Sequence, residues 1–324
     1  MLTPALPLGE FDIIQRFFTR LQFPSSGVVK GIGDDAAILH PESGYDLIAA
    51  ADVLNEGIHF PKSTSPHAIG YKALAVNLSD LAAMGAEPLW FTMTLSLPEA
   101  NEDWLSEFSR GLFEIADQFG ISLVGGDTVK GPLSIGIHVL GRVPEGMALR
   151  RDGAKPGDKI YVSGNLGGAA LALKRGSSGH SVDKDLQKKL DYPEPRIDLG
   201  RRLLGVANSC IDISDGLLAD LCHILEVSSK GAEILAKSIP LSEFCQEIAQ
   251  GSVPDCALNG GDDYELCFTV PKEKSDELNK IISDTGIQIT CIGEISGQEK
   301  LIIKDEELAG SGLRISGFNH FGPQ

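Results

Sequence analysis

No Cys-x-x-Cys pair occurs in this chain, and its six cysteines (Cys210, Cys222, Cys245, Cys256, Cys267, Cys291) all lie in the second half. Zinc-site and thioredoxin-like chemistry therefore has no motif, and buried free thiols in a reducing compartment are expected. Basic residues are scarce: 28 Lys and Arg stand against 45 Asp and Glu, a net charge of −17. Nucleic acid and anionic membrane surfaces call for basic patches, so neither is an expected partner. No apolar run approaches the roughly 20 residues of a membrane span. The segment Met1-Leu2-Thr3-Pro4-Ala5-Leu6-Pro7 lacks a charged stretch followed by an apolar one. No ordinary signal peptide is expected, and the expected location is cytoplasmic. Catalytic motifs are missing as well. There is no Ser-His-Asp arrangement by motif, no His-Arg-Asp kinase loop and no Walker lysine. No residue stands out as a general base or covalent nucleophile.

What the chain does have is aspartate at the ends of apolar runs. Gly-Ile-Gly-Asp-Asp occupies 31–35, and Asp52 closes Leu47-Ile48-Ala49-Ala50-Ala51. Asp127 follows Leu123-Val124-Gly125-Gly126, Asp212 and Asp215 lie within Ile211-Asp212-Ile213-Ser214-Asp215-Gly216, and Asp262-Asp263 follow Gly260-Gly261. Aspartate is usually solvated, and a buried one needs a partner. Carboxylates gathered at strand ends repel by several kcal/mol per close pair at an effective dielectric of about 20. A divalent cation removes that penalty. Oxygen-rich sites of this kind suit Mg²⁺, which bridges protein carboxylates to substrate phosphates. The first reading is a Mg²⁺-dependent enzyme acting on phosphates.

Each motif also has a plainer reading. Residues 31–35 can be an ordinary turn, and Asp52 and Asp127 can each be a turn or cap residue. Asn77 and Asp80 share one face of a helix, where a helix–helix hydrogen bond would explain the pair. Ser214 can cap the helix that follows, at an N-terminus that also favours phosphate. Ser163-Gly164-Asn165-Leu166-Gly167-Gly168 fits no nucleotide-binding pattern and reads as structural. His59 is a lone loop histidine. Arg150 and Arg151 are either phosphate clamps or exposed surface.

The 324 residues are enough for two cores. Periodicity places helices over 10–22, 66–84, 101–119, 167–175, 195–207, 215–228 and 272–284. Strands are expected over 46–51, 121–124, 133–143, 158–163, 264–270, 288–295 and 300–304. Pro144, Gly146, Gly153, Pro156 and Gly157 mark a boundary, giving domains 1–148 and 149–324. The polar stretch 176–189 reads as a mobile loop. The irregular mix of strands and helices suggests two α/β or α+β domains.

Six ordered motifs resemble those of the thiamine-monophosphate kinase family, nearly end to end. They are Gly-Ile-Gly-Asp-Asp-Ala-Ala (31–37), the run from Lys72 to Ala86, Gly-Gly-Asp-Thr (125–128), Gly-Ala-Lys-Pro-Gly-Asp (153–158), Ile-Asp-Ile-Ser-Asp-Gly-Leu (211–217) and Gly-Gly-Asp-Asp-Tyr-Glu-Leu (260–266). The resemblance implies a two-domain aminoimidazole ribonucleotide synthetase-like architecture, α/β (α+β), with mixed sheets packed against helices. The N-terminal domain would bind ATP and Mg²⁺ and form a homodimer, and the C-terminal domain would complete the nucleotide and substrate site. The implied reaction is transfer of the ATP γ-phosphate to thiamine monophosphate, giving thiamine diphosphate. By resemblance, Asp35, Asp52, Asp80, Asp127, Asp212 and Asp215 are ligands of several Mg²⁺ ions. Gly126, Asp127, Arg151 and Ser214 contact ATP, and His59, Asp262 and Phe318 contact the thiamine phosphate. Three departures stand out. Ala50-Ala51 replaces a hydroxyl pair, Asp262 stands where relatives can carry Glu, and Phe318 where they can carry Tyr. The alternatives are another ATP-dependent enzyme of the same superfamily or a noncatalytic nucleotide-binding module. A selenophosphate synthetase should have a reactive Cys near its start, whereas the first Cys here is Cys210. The hydrogenase-maturation relative should end in Cys, whereas this chain ends Phe321-Gly322-Pro323-Gln324.

Overall fold

A computed structural model describes residues 8–20, 27–249 and 253–304. The chain divides into two compact units. One runs up to Leu81 and includes Glu87–Glu145; the other takes Ala82–Ala86 and everything from Gly146 onward.

The first unit opens with a short helix α1 (Glu10–Ile13) and a π-helical turn ending at Phe18. Strands β1 (Val28–Lys30) and β2 (Ile38–Leu39) pair as a small hairpin whose loop is the 31–37 segment. Then come β3 (Tyr45–Asn55), α2 (Pro66–Ala83), β4 (Glu87–Leu97), α3 (Glu102–Phe119), β5 (Ser122–Lys130) and β6 (Ser134–Pro144). The strands form one mixed sheet in the order β3-β6-β4-β5, with only β4 and β5 parallel. Strand β4 was not expected from the sequence, although Met93, Leu95 and Leu97 alternate with Thr92, Thr94 and Ser96 in strand fashion.

Helix α2 is buried almost all round, from Ala68 to Leu78, as befits a helix without a polar stripe. Asn101 caps α3 by accepting from the Trp104 amide at 2.9 Å, and Gly120 ends it in the left-handed conformation. The two helices meet at glycines. A Cβ on Gly70 would lie 2.1 Å from the Phe108 carbonyl oxygen, and one on Gly111 would lie 1.9 Å from that of His67. Alanine gains about 1 kcal/mol over glycine in helix propensity, but overpacking between backbones costs up to about 3 kcal/mol. Gly111→Ala should therefore lower urea-unfolding stability by about 2 kcal/mol. Gly176→Ala, where the new Cβ meets nothing nearer than 3.8 Å, should not lower it. Equal effects from the two substitutions would refute the close-approach argument.

The second unit comprises β7 (Lys159–Ser163), α4 (Gly168–Ser177), α5 (Lys184–Asp191), α6 (Ile197–Arg202), β8 (Ser209–Asp212), α7 (Leu217–Ser228) and β9 (Gly231–Leu235). It continues with α8 (Glu243–Ile248), α9 (Asp255–Leu258), β10 (Leu266–Val270), α10 (Ser275–Thr285), β11 (Ile289–Ser296) and β12 (Leu301–Lys304). Its six-stranded sheet runs β12-β9-β11-β7-β10-β8, with only β12 and β9 parallel. Leu217, Leu218, Leu221 and Ile224 of α7 pack with Ile160, Val162 and Ile211 of the sheet.

Several local expectations are corrected. The 176–189 stretch is not all loop, because α5 begins inside it. Asp183 caps that helix, and Leu186 and Leu190 bury one apolar edge against Ala169 and Ala172. The expected helix over 195–207 shrinks to six residues, and β8 and β9 were not anticipated. The six cysteines are free; Cys210, Cys245 and Cys267 are buried, and Cys291 is exposed.

Candidate active site

The expected 46–51 strand continues through Asp52 to Asn55, and the expected 121–124 strand continues through Asp127 to Lys130. Both aspartates are therefore strand residues, not strand-end residues. Asp212 does end a strand, as the last residue of β8.

In the first unit a cavity of about 1100 Å³ is lined in part by apolar Phe11, Ile14 and Phe18 and by Leu123 of β5. The lining also includes Asp34 and Asp35 of the hairpin loop and Gly125 to Thr128. Asp35, Gly126 and Asp127 thus line one cavity. Gly126 has φ +150°, and a Cβ there would fall 1.8 Å from the Met93 carbonyl oxygen, so no larger residue fits.

Asp52 and Asp80 do not line this cavity. The Asp52 amide donates to Asn77 Oδ1 at 3.0 Å, and Asn77 Nδ2 donates to the Ala73 carbonyl at 2.9 Å. Fully buried Asn77 therefore ties α2 to β3 rather than to another helix. In register, Asp52 lies opposite Ile137, whose row continues to Met93 and Gly126, while Asp127 pairs with Thr94 one step on. Strand alternation thus turns Asp52 and Asp127 toward opposite faces of the sheet.

His59 is held from several sides. Its Nδ1 accepts from the Asn55 amide at 2.9 Å, and its amide returns a bond to the Asn55 carbonyl at 3.0 Å. Buried Lys72 donates to its carbonyl at 3.4 Å. With Nδ1 accepting, the neutral ring carries its proton on Nε2.

In the second unit the segment 212–216 folds around one side chain the sequence reading missed, Asp220. Asp220 Oδ2 accepts from the amides of Ser214 and Asp215 at 3.1 Å and of Gly216 at 3.0 Å. Helix α7 starts at Leu217 with Gly216 as its cap, so Ser214 is not the N-cap. These amides are already occupied, so they are not the phosphate donors that a helix N-terminus suggested. Burial, then the charges of Asp212 and Asp215, push the Asp220 pKa up to about 7. The sequence did hold a signal: a charged residue at a core position, one turn from both Leu217 and Ile224.

A second loop docks on this one. The Asp262 amide donates to the Ser214 carbonyl, and the Tyr264 amide to that of Ile213, each at 2.9 Å. The Tyr264 hydroxyl donates to Asp262 Oδ1 at 2.9 Å. Asp262 and Tyr264 have φ of +68° and +50°, a left-handed backbone that such residues rarely adopt. Strain of this kind collects at functional sites. Burial pushes the neighbouring Asp263 carboxyl well above its ordinary range, although the Gly167 amide donates to both oxygens. That bond engages the 163–168 loop structurally. Arg150 is paired with Asp152, and Arg151 is exposed. Phe318 lies outside the described residues.

Among the described residues, no three His, Cys, Asp or Glu side chains converge closely enough to hold a metal ion.

Two domain families account for the fold: AIR synthase related protein, N-terminal domain, over residues 33–143, and AIR synthase related protein, C-terminal domain, over 155–306. These define the class as a two-domain AIR synthase related protein of mixed α/β architecture. Within that class the chain belongs to the thiamine-monophosphate kinase family. It is 41% identical to the thiamine-monophosphate kinase of Salmonella typhimurium, over 97% of this chain and 98% of that protein. The crystal structure of thiamine-monophosphate kinase from Stenotrophomonas maltophilia matches with a TM-score of 0.82 and 46% identity, covering 87% of this chain and 92% of that one. AaThiL complexed with AMPPCP and TMP matches with a TM-score of 0.76 and 32% identity, covering 90% and 92%.

Proposed function

We propose that this chain transfers the γ-phosphate of ATP to thiamine monophosphate, giving thiamine diphosphate and ADP by direct in-line displacement. The observation that carries this reading is the cavity lined by Asp35, Gly126 and Asp127 together with apolar residues. Near-full-length kinship to thiamine-monophosphate kinases supports it, as does the likeness to a protein solved with AMPPCP and TMP. The apolar part of the cavity lining suits a nucleotide base. Arg151 and Ser214 would contact ATP; His59, Asp262 and Phe318 would contact the thiamine phosphate.

The proposed ligands suit magnesium by their chemistry, although among the described residues they do not converge. Asp35, Asp52, Asp80, Asp127, Asp212 and Asp215 offer only oxygen, as a hard cation requires. When bound, magnesium offsets charge on the phosphates and on the transferring group. The acceptor is a phosphate oxygen, already anionic near neutral pH because the second pKa of a phosphate monoester is about 6. No general base or covalent nucleophile is then required. The protein's part is to hold two anionic substrates in line.

The first unit's sheet also exposes apolar residues: Leu47 is 49% exposed, and Val53 and Val129 are each 51% exposed. This supports a homodimer, with a light-scattering mass twice the 34.5 kDa of one chain. No described helix is long and apolar enough to cross a membrane.

The reaction is tested by chromatography after incubation with ATP, Mg²⁺ and thiamine monophosphate, with free thiamine in parallel. Thiamine diphosphate should form only from the monophosphate, and EDTA should abolish it. Absence of product from folded, Mg²⁺-loaded protein would refute the reading. A phosphoenzyme trapped in a single-turnover quench would refute direct transfer.

A further inference from the structure

We propose that Asp220 is a positioning residue for the loop that carries Asp212, Ser214 and Asp215. The inference rests on the kinase reading above. Asp220 is 2% exposed and lies on the first turn of α7, with its own amide donating to the Gly216 carbonyl at 3.0 Å. One of its oxygens collects three consecutive loop amides. Backbone amides that converge in this way form an anion-binding concavity. Here the anion is the chain's own carboxylate.

The consequence is directional. With the amides of Ser214, Asp215 and Gly216 turned inward, the carbonyls of Ile213 and Ser214 are left to the other loop. They receive the amides of Tyr264 and Asp262. One carboxylate therefore orders both segments: the one bearing the candidate metal ligands and the one bearing the candidate substrate contact. Asp220 itself touches no reacting atom in this scheme. Its effect passes through the backbone it holds.

The test compares Asp220→Ala and Asp220→Asn with wild type in turnover and in the Mg²⁺ concentration giving half-maximal rate. Alanine removes the acceptor, whereas asparagine keeps an oxygen in the same place. Misplacing reacting groups by about 1 Å can lower the rate about 100-fold. Asp220→Ala should show a loss of that size and a raised Mg²⁺ half-point, and Asp220→Asn should recover most of both. A merely structural residue would lower the melting temperature while the folded fraction kept wild-type turnover and Mg²⁺ dependence; that result overturns the proposal. Equal losses in the two variants would assign the effect to charge rather than placement, and also overturn it. Should the alanine variant not fold, Asp220→Ser, whose hydroxyl is too short to gather the three amides, takes its place. A rise in its Mg²⁺ half-point of threefold or more supports the proposal, and a smaller one overturns it. Wild-type protein that makes no thiamine diphosphate would instead defeat the kinase reading. Mg²⁺ titration by calorimetry on wild type and the folded variants would then judge Asp220 by the same thresholds.

Discussion

Asp212→Asn should lower turnover by about 10³-fold, a barrier increase of about 4 kcal/mol, and leave the protein folded. Asp212 ends β8 opposite Leu266 and is 4% exposed. An amide keeps its shape but removes the charge that a hard cation needs. The same charge helps raise the Asp220 pKa, second only to burial. Neutralising it relieves repulsion within the loop, so the melting temperature without Mg²⁺ should hold or rise. Steady-state kinetics and thermal melts by circular dichroism separate the two effects. Turnover within tenfold of wild type, or a loss that tracks unfolding, would remove Asp212 from the proposed ligand set.

Asp212 and Asp127 show how far the sequence could be read. Asp127 was expected just past a strand, whereas no strand was expected before Asp212. Only β8 stops at its aspartate. The diglycine before Asp127 looked like a strand terminus but is the place where β5 lies closest to β4, at the Met93 carbonyl. A glycine in a strand marks close backbone approach as readily as a break. Family kinship and two-domain α/β character were legible because they rest on long motifs and repeated periodicity.

Less legible were features that depend on partners distant in sequence. Helix α5 is only eight residues long and largely polar, and two buried leucines and an aspartate cap hold it. Asn77 looked like a helix–helix contact because nothing local shows that β3 passes beside it. Asp220 lies three residues past a motif whose own residues drew attention. The left-handed backbone at Asp262 and Tyr264 has little sequence signal, since aspartate adopts it more readily than most residues but tyrosine does not. It follows from the pairing of their amides with the 213–214 carbonyls.

Glu265→Ala should destabilise the protein by about 3–5 kcal/mol, the range for stripping one partner from a buried ion pair. Glu265 is 6% exposed, and its two oxygens meet Nε and Nη2 of Arg196 as a fork. Burial alone would lower the Arg196 pKa, but the Glu265 pair overrides it and holds that pKa above its ordinary value. The Ser163 hydroxyl donates to the same carboxylate and accepts from the Leu266 amide at 2.9 Å. Alanine would leave a partly buried guanidinium with only the exposed Glu194 as partner, and a hydroxyl without its acceptor, directly after the strained Asp262–Tyr264 turn. Replacing both charges with apolar groups is far less damaging than removing one. The double variant Arg196→Met with Glu265→Ala should therefore unfold at higher urea than Glu265→Ala alone. If the double variant is no more stable, the loss comes from the packing of Glu265 and not from the orphaned charge. If it recovers stability but not thiamine monophosphate binding, the ion pair serves chiefly to set the turn that carries Asp262.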